Sequence, residues 1–254
     1  MFLELEHLFM KFGGLFAVND VSMSVKQGEI RGLIGPNGSG KSTILNVISG
    51  YYKLNSGKIS FEGKVLSGLA AHQITAAGFA RTFQNLRLFR SMTVLDNVLV
   101  GMGHHAKTSL WSALFNPVVV QREESSFVDK AMKLLDLLGI SELAHKSATD
   151  LPYGNQRLVE MARALATDPK ILLLDEPAAG LNEVETDKLR EILLKIRDTG
   201  VTICLVEHDM KLVMGVCELI TVLDYGTKIA EGTGATIRSN PAVIKAYLGQ
   251  EQDA

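Results

Sequence analysis

Nine consecutive residues, Gly35, Pro36, Asn37, Gly38, Ser39, Gly40, Lys41, Ser42 and Thr43, have the spacing G-x-x-x-x-G-K-[ST]. An apolar run (29–34) precedes them, and a helical pattern carrying Ile44, Leu45, Val47 and Ile48 follows. That context is the strand–loop–helix in which this spacing cradles phosphates. Glycines let the backbone wrap close to an anion without a Cβ clash. Successive N–H groups then form a nest, and the helix N-terminus adds its positive dipole end. Lys41 is placed to neutralise β- and γ-phosphates and the Ser42 hydroxyl to ligate Mg²⁺. Motif and context together favour ATP·Mg²⁺ binding over an ordinary glycine-rich turn.

Hydrolysis needs a carboxylate to position the metal and a group to orient water. The apolar run 171–174 delivers Asp175 and Glu176 at its C-terminal end, where ligands of open α/β sheets bind. Asp175 is the candidate for the Mg²⁺ shell and Glu176 for the general base. His208, after the run 201–206, either hydrogen-bonds a γ-phosphate or caps the next helix. The consecutive Glu207, His208 and Asp209 do not converge easily on one ion. Gln84 lies where strand pattern gives way to helices, within reach of Mg²⁺ or the attacking water.

These groups require a scaffold, and its pattern is legible. Residues 3–12 and 17–25 read as strands, the second alternating through Val18, Val21, Met23 and Val25. Residues 57–61 read as another strand with Glu62-Gly63 as its turn. The middle is helical, with apolar faces at 93–100, at Phe127, Ala131, Leu134 and Leu138, and at Leu158, Met161, Ala162 and Leu165. Gly139 is placed to end the second of these helices. A further helix carries Leu189, Ile192, Leu193 and Ile196, with Gly200 after it. The apolar runs 171–174 and 201–206, joined by that helix, suggest a parallel sheet buried on both faces. Residues 219–223 and 228–230 read as a hairpin turning at Tyr225-Gly226.

The bulk numbers fit a globular protein: 254 residues, 46% apolar and 21% charged. A net charge of −2 without a basic stripe argues against nucleic acid as partner. Cys204 and Cys217 make no disulfide framework, and reduced thiols of a cytosolic protein are expected. The acidic residues in the first six positions argue against a signal peptide. The apolar runs fall short of the roughly 20 residues that a membrane span needs.

The set as a whole resembles an ATP-binding subunit of an ABC transporter. Its motifs occur in the family's order: Walker A at 35–43, the Q-loop at Gln84, a signature-like segment at 151–156, Walker B ending at Asp175 with Glu176, a D-loop-like Gly180-Leu181-Asn182, and the H-loop at His208. Phe12 stands where the family's adenine-stacking aromatic usually sits, and on residue type it is equally a core phenylalanine. The resemblance implies an α/β fold with a P-loop NTPase (RecA-like) core, an antiparallel β subdomain and an inserted helical subdomain. The expected parts of this single 1–254 domain are the core with β subdomain (1–84 and 160–233), the helical subdomain (85–159) and a C-terminal helical tail (234–254). It also implies a head-to-tail dimer, with a second copy of this chain or with a sister ATPase, holding two ATP molecules between Walker A and the opposing signature. Membrane permeases would dock on the helical subdomain near the Q-loop.

Two departures stand out. The family signature Leu-Ser-Gly-Gly-Gln is here Leu151-Pro152-Tyr153-Gly154-Asn155, so the serine hydroxyl is missing. The helix N-terminus at Gly154 and Asn155 remains as an anion site. The usual D-loop aspartate is Asn182. Together with Asp-Glu-Pro-Ala-Ala-Gly-Leu-Asn, an early Phe-Gly-Gly-Leu and a late Val-Leu-Asp-Tyr-Gly, this is similar to the branched-chain amino-acid importer ATPases. The segment 103–121 resembles that subfamily's extra segment. Its His104 and His105 read as solvated surface, and Trp111, Leu114 and Phe115 as a docking face or core. The expectation is an importer ATPase on the cytoplasmic face of the (inner) membrane, serving an extracytoplasmic solute-binding protein. An export ATPase of lipopolysaccharide type and a soluble ABC ATPase acting on DNA or ribosomes are the alternatives.

Overall fold

The computed structural model describes residues 1–103 and 117–248. His104, His105, Trp111, Leu114 and Phe115 lie outside the described residues, as does the end of the tail, 249–254.

β1 (Leu3–Phe12) and β2 (Leu15–Val25) form an antiparallel hairpin, which β4 (Ser56–Phe61) and β5 (Lys64–Val65) extend in the order β2-β1-β4-β5. The mixed pattern of β1 has a local cause. The register shifts between Leu5 and Leu8, where His7 adopts φ 50°. The bulge resets the alternation, so Leu3, Leu5, Leu8 and Met10 all face the core.

The second sheet has the order β10-β9-β3-β8-β7-β6. Its strands β3 (Ile30–Ile34), β6 (Phe79–Arg81), β7 (Ile171–Asp175), β8 (Thr202–Val206) and β9 (Leu219–Asp224) run parallel, and β10 (Thr227–Gly232) pairs antiparallel with β9. Every residue of β3, β7 and β8 is buried, as continuous apolar runs between helical layers require.

The helices are α1 (Lys41–Ile48), α2 (Ala71–Ala76), α3 (Val94–Met102), α4 (Pro117–Leu137), α5 (Tyr153–Leu165), α6 (Glu183–Asp198), α7 (Met210–Val216), α8 (Gly234–Arg238) and α9 (Pro241–Leu248). Thr93 caps α3 reciprocally with Asp96. Gly139 follows α4 in the left-handed region at φ 67°. The predicted faces of α5 and α6 are the buried ones. On α4, Ala131 and Leu138 are buried together with Leu135, while Phe127 and Leu134 are only partly covered. The boundary expected at 159–160 falls inside α5, which runs unbroken through it.

Three apolar bodies result. One joins α3 to α6 with one face of the parallel sheet. Another fills the space between the other face, α1 and the antiparallel sheet. A third gathers Ile34, Val213, Ile220, Val222, Ile237 and Val243 beneath the C-terminal helices. Among the described residues no helix is long and apolar enough to cross a membrane.

Candidate active site

The loop 35–40 joins β3 to α1 at the C-terminal edge of the parallel sheet. Two of its glycines are required by the backbone packed around the loop. A Cβ at Gly35 would stand 2.1 Å from the Leu223 carbonyl oxygen, and one at Gly40 2.4 Å from that of Ala17. At these two positions a side chain would clash with neighbouring backbone. Gly38 faces open space, and there the requirement is its φ of 77°. The Ala17 contact also places the β1–β2 hairpin against the loop. The turn at Tyr225-Gly226, beside Ala17, also braces it, with the Gly226 amide donating to the Ser39 carbonyl at 3.1 Å.

No side chain caps the N-terminus of α1, so its first-turn N–H groups are available to an anion. Lys41 is buried, and its ammonium donates to the carbonyls of Gly35 (2.8 Å) and Pro36 (2.9 Å). An ammonium has three donors, so one remains for a phosphate. Burial lowers its pKa, while Glu176 and Asp175 pull it back up. We expect Lys41→Ala to weaken ATP binding by about 10–100-fold, from the loss of a charged hydrogen bond. Titration with a fluorescent ATP analogue measures this, and unchanged affinity would refute the role.

β7 and β8 lie side by side next to β3 and deliver the acidic and histidine groups to the same edge. Asp175 is buried, and its Oδ2 accepts from Arg81 Nη2 at 3.0 Å. Burial raises its pKa, whereas Arg81 and the nearby Ser42 hydroxyl lower it. Its Oδ1 is buried without a hydrogen-bond partner. A buried, unsatisfied carboxylate oxygen beside a serine hydroxyl suits a hard divalent cation that keeps several non-protein ligands. The residues present therefore fit Mg²⁺. Glu176 sits at φ 49° with its amide donating to the Val206 carbonyl at 2.9 Å. That unusual backbone turns its side chain to Gln84, whose Nε2 donates to Oε2 at 3.0 Å.

His208 is exposed, and Asp209, not His208, caps α7. The helix-capping alternative for His208 is thereby removed. Phe12 is 45% exposed at the end of β1, with its ring edge-on to Tyr52. It is not a core residue, and it lies on the hairpin that touches Gly40. Gly154 and Asn155 stand apart from this cluster, in the first turn of α5. A Cβ at Gly154 would meet Glu185 Oε1 at 2.8 Å. Pro152 occupies the N-cap position without a side-chain bond to the helix. Asn182 caps α6 reciprocally with Glu185, a structural role that an aspartate would fill equally well.

Three functional side chains escaped the sequence reading. Arg81 ties Asp175 to α1 through Asn46 Oδ1 (2.7 Å) and Ser49 Oγ (2.9 Å). Glu207, fully buried, accepts from the amides of Ala178 (2.6 Å), His208 (3.0 Å) and Asp209 (3.3 Å). It fixes the backbone on both sides of His208 to the segment after Glu176. Arg157 on α5 donates to the carbonyls of Phe83 (2.8 Å) and Gln84 (2.6 Å). Each is a charged residue at the end of a buried strand or beside a buried helix face, and that placement was the available signal. The two cysteines are free, and burial pushes the Cys204 thiol up to about 12.

The ABC transporter family matches residues 18–179, and the family described as branched-chain amino acid ATP-binding cassette transporter matches residues 227–253. The high-affinity branched-chain amino acid transport ATP-binding protein LivG of Salmonella typhimurium is 47% identical over 98% of both chains. The corresponding protein BraF of Pseudomonas aeruginosa is 45% identical over the same shares. A crystal structure of the ADP conformation of an ATP-binding cassette of an ABC transporter superposes with a TM-score of 0.86 at 34% identity, covering 98% of each chain. The fold is accordingly the P-loop α/β fold of the ABC ATPases. The chain belongs to the ABC transporter family, as an ATPase of its branched-chain amino acid group.

Proposed function

We propose that this chain is the ATP-binding and hydrolysing subunit of an importer for branched-chain amino acids or a related solute. The observation that carries the reading is the meeting of the 35–43 loop, Asp175, Glu176 and Gln84 at one sheet edge, in a chain nearly half identical to transport ATPases of that class. ATP sits with its phosphates over the loop and α1, and its base against the exposed face of Phe12. Ser42, Asp175 and Gln84 would hold Mg²⁺, which would supply charge neutralisation to the phosphates. Lys41 adds a fixed cation. Glu176, oriented by Gln84, accepts the proton of the attacking water, and His208 hydrogen-bonds the γ-phosphate.

The site on one chain is half a site. The uncapped first turn of α5, with Gly154 and Asn155, offers amides to the γ-phosphate bound by a second copy or a sister ATPase. Arg157 links that helix to the Gln84 backbone, so both halves respond together. The assembly is peripheral on the cytoplasmic face of the membrane, docked on permeases that receive solute from an extracytoplasmic binding protein. Co-purification with the permeases, followed by ATPase assays with candidate solutes and the binding protein, tests this. Stimulation by leucine, isoleucine or valine is expected. Isolation bound to ribosomes or DNA, with no solute response, would overturn the transport reading.

A further inference from the structure

The third apolar body contains one polar group that the mechanism above does not use. Tyr247, on α9, packs against the cluster of Ile34, Val213, Ile220, Val222, Ile237 and Val243. Its hydroxyl is buried and closes no hydrogen bond of ordinary geometry. The group it faces is the backbone amide of Gly35, the first residue of the phosphate loop. The carbonyl of that same residue accepts from Lys41 Nζ. Gly35 is thus held at its carbonyl by the loop's own lysine and approached at its amide by the C-terminal helix. The cluster also contains Val213 and Met210 of α7, the helix that begins two residues after His208. α9 therefore approaches the start of the phosphate loop and shares an apolar cluster with the element behind the histidine.

A buried phenol left short of its partner destabilises the fold, and native structures rarely keep such a group without a use. We propose that Tyr247 is a positioning residue for the phosphate loop. Its hydroxyl accepts the Gly35 N–H when nucleotide orders the loop, and so the C-terminal helix sets the affinity for ATP. The proposal rests on the assignment of 35–43 as the nucleotide site.

Tyr247→Phe keeps the ring in its cluster and removes only the hydroxyl. The full-length variant and the wild type are titrated with ATP and with ADP in the presence of Mg²⁺, and their unfolding temperatures are measured without nucleotide. We expect the variant's Kd for both nucleotides to rise about 5–10-fold. Its ligand-free unfolding temperature should stay at or slightly above that of the wild type, because no closed hydrogen bond is lost. An unchanged Kd overturns the proposal. A lower unfolding temperature accompanying the weaker binding also overturns it, because the hydroxyl would then be a folding contact. Failure of the wild type to bind either nucleotide would instead remove the nucleotide site itself.

Discussion

Glu176→Gln is expected to lower the ATPase kcat by about 10²–10⁴-fold, the usual contribution of a positioned general base. Affinity for ATP should be retained. The substitution removes one negative charge beside the phosphates and keeps the shape of the side chain. The Gln84 Nε2 bond of 3.0 Å to Oε2 can persist, because an amide oxygen accepts as a carboxylate oxygen does. The φ of 49° at this position is equally available to glutamine. With hydrolysis blocked, ATP should accumulate on the protein and hold two ATPase chains together. Steady-state kinetics and equilibrium binding on the same preparation check this. A variant that hydrolyses ATP at the wild-type rate would show that the base lies elsewhere.

Arg157→Met should cost about 3–5 kcal/mol of stability, because it leaves the Glu160 carboxylate buried without its nearest countercharge. The pair stands 3.6 Å apart, with side chains only 5% and 2% exposed. Burial pushes Glu160 upward, and Arg157 and Arg163 hold it down. In a chain of this size the loss corresponds to a fall of roughly 10 °C in unfolding temperature. Arg157→Met with Glu160→Met should recover much of that stability, since an apolar pair of similar volume is often neutral in place of a buried ion pair. It should not recover ATPase activity. The carbonyls of Phe83 and Gln84 lose their guanidinium donor in both variants, and the signature helix is then uncoupled from the glutamine that orients Glu176. Thermal unfolding separates the two roles. A single variant as stable as the wild type would contradict the account of the pair, and a double variant with full activity would contradict the coupling.

The sequence was most informative where a pattern was long or a spacing was strict. The Gly35, Gly38, Gly40, Lys41 and Ser42 spacing pointed to its loop, and the apolar runs 171–174 and 201–206 to a sheet buried on both faces. The apolar period of α6 was likewise readable residue by residue. What escaped had physical causes. β5, α2 and β6 span two, six and three residues, too few for a period to show. The alternation of β1 was interrupted by a bulge that only the pairing with β2 reveals. In the candidate site, Asp175 and Glu176 were legible because they come directly at the end of an apolar run. Arg81, Arg157 and Glu207 were not, because their value lies in partners 94, 74 and 29 positions away. The assignment of His208 between phosphate and helix cap depended on its neighbour. Asp209 takes the cap, which leaves the imidazole exposed at the sheet edge.

The central claim is that hydrolysis at this chain's own site drives solute uptake. The direct measurement is accumulation of labelled leucine in vesicles that carry the assembled transporter, with its binding protein outside and ATP and Mg²⁺ within. The account predicts uptake with the wild-type chain and its loss when this chain alone carries Glu176→Gln. Uptake at an undiminished rate with that variant would contradict it.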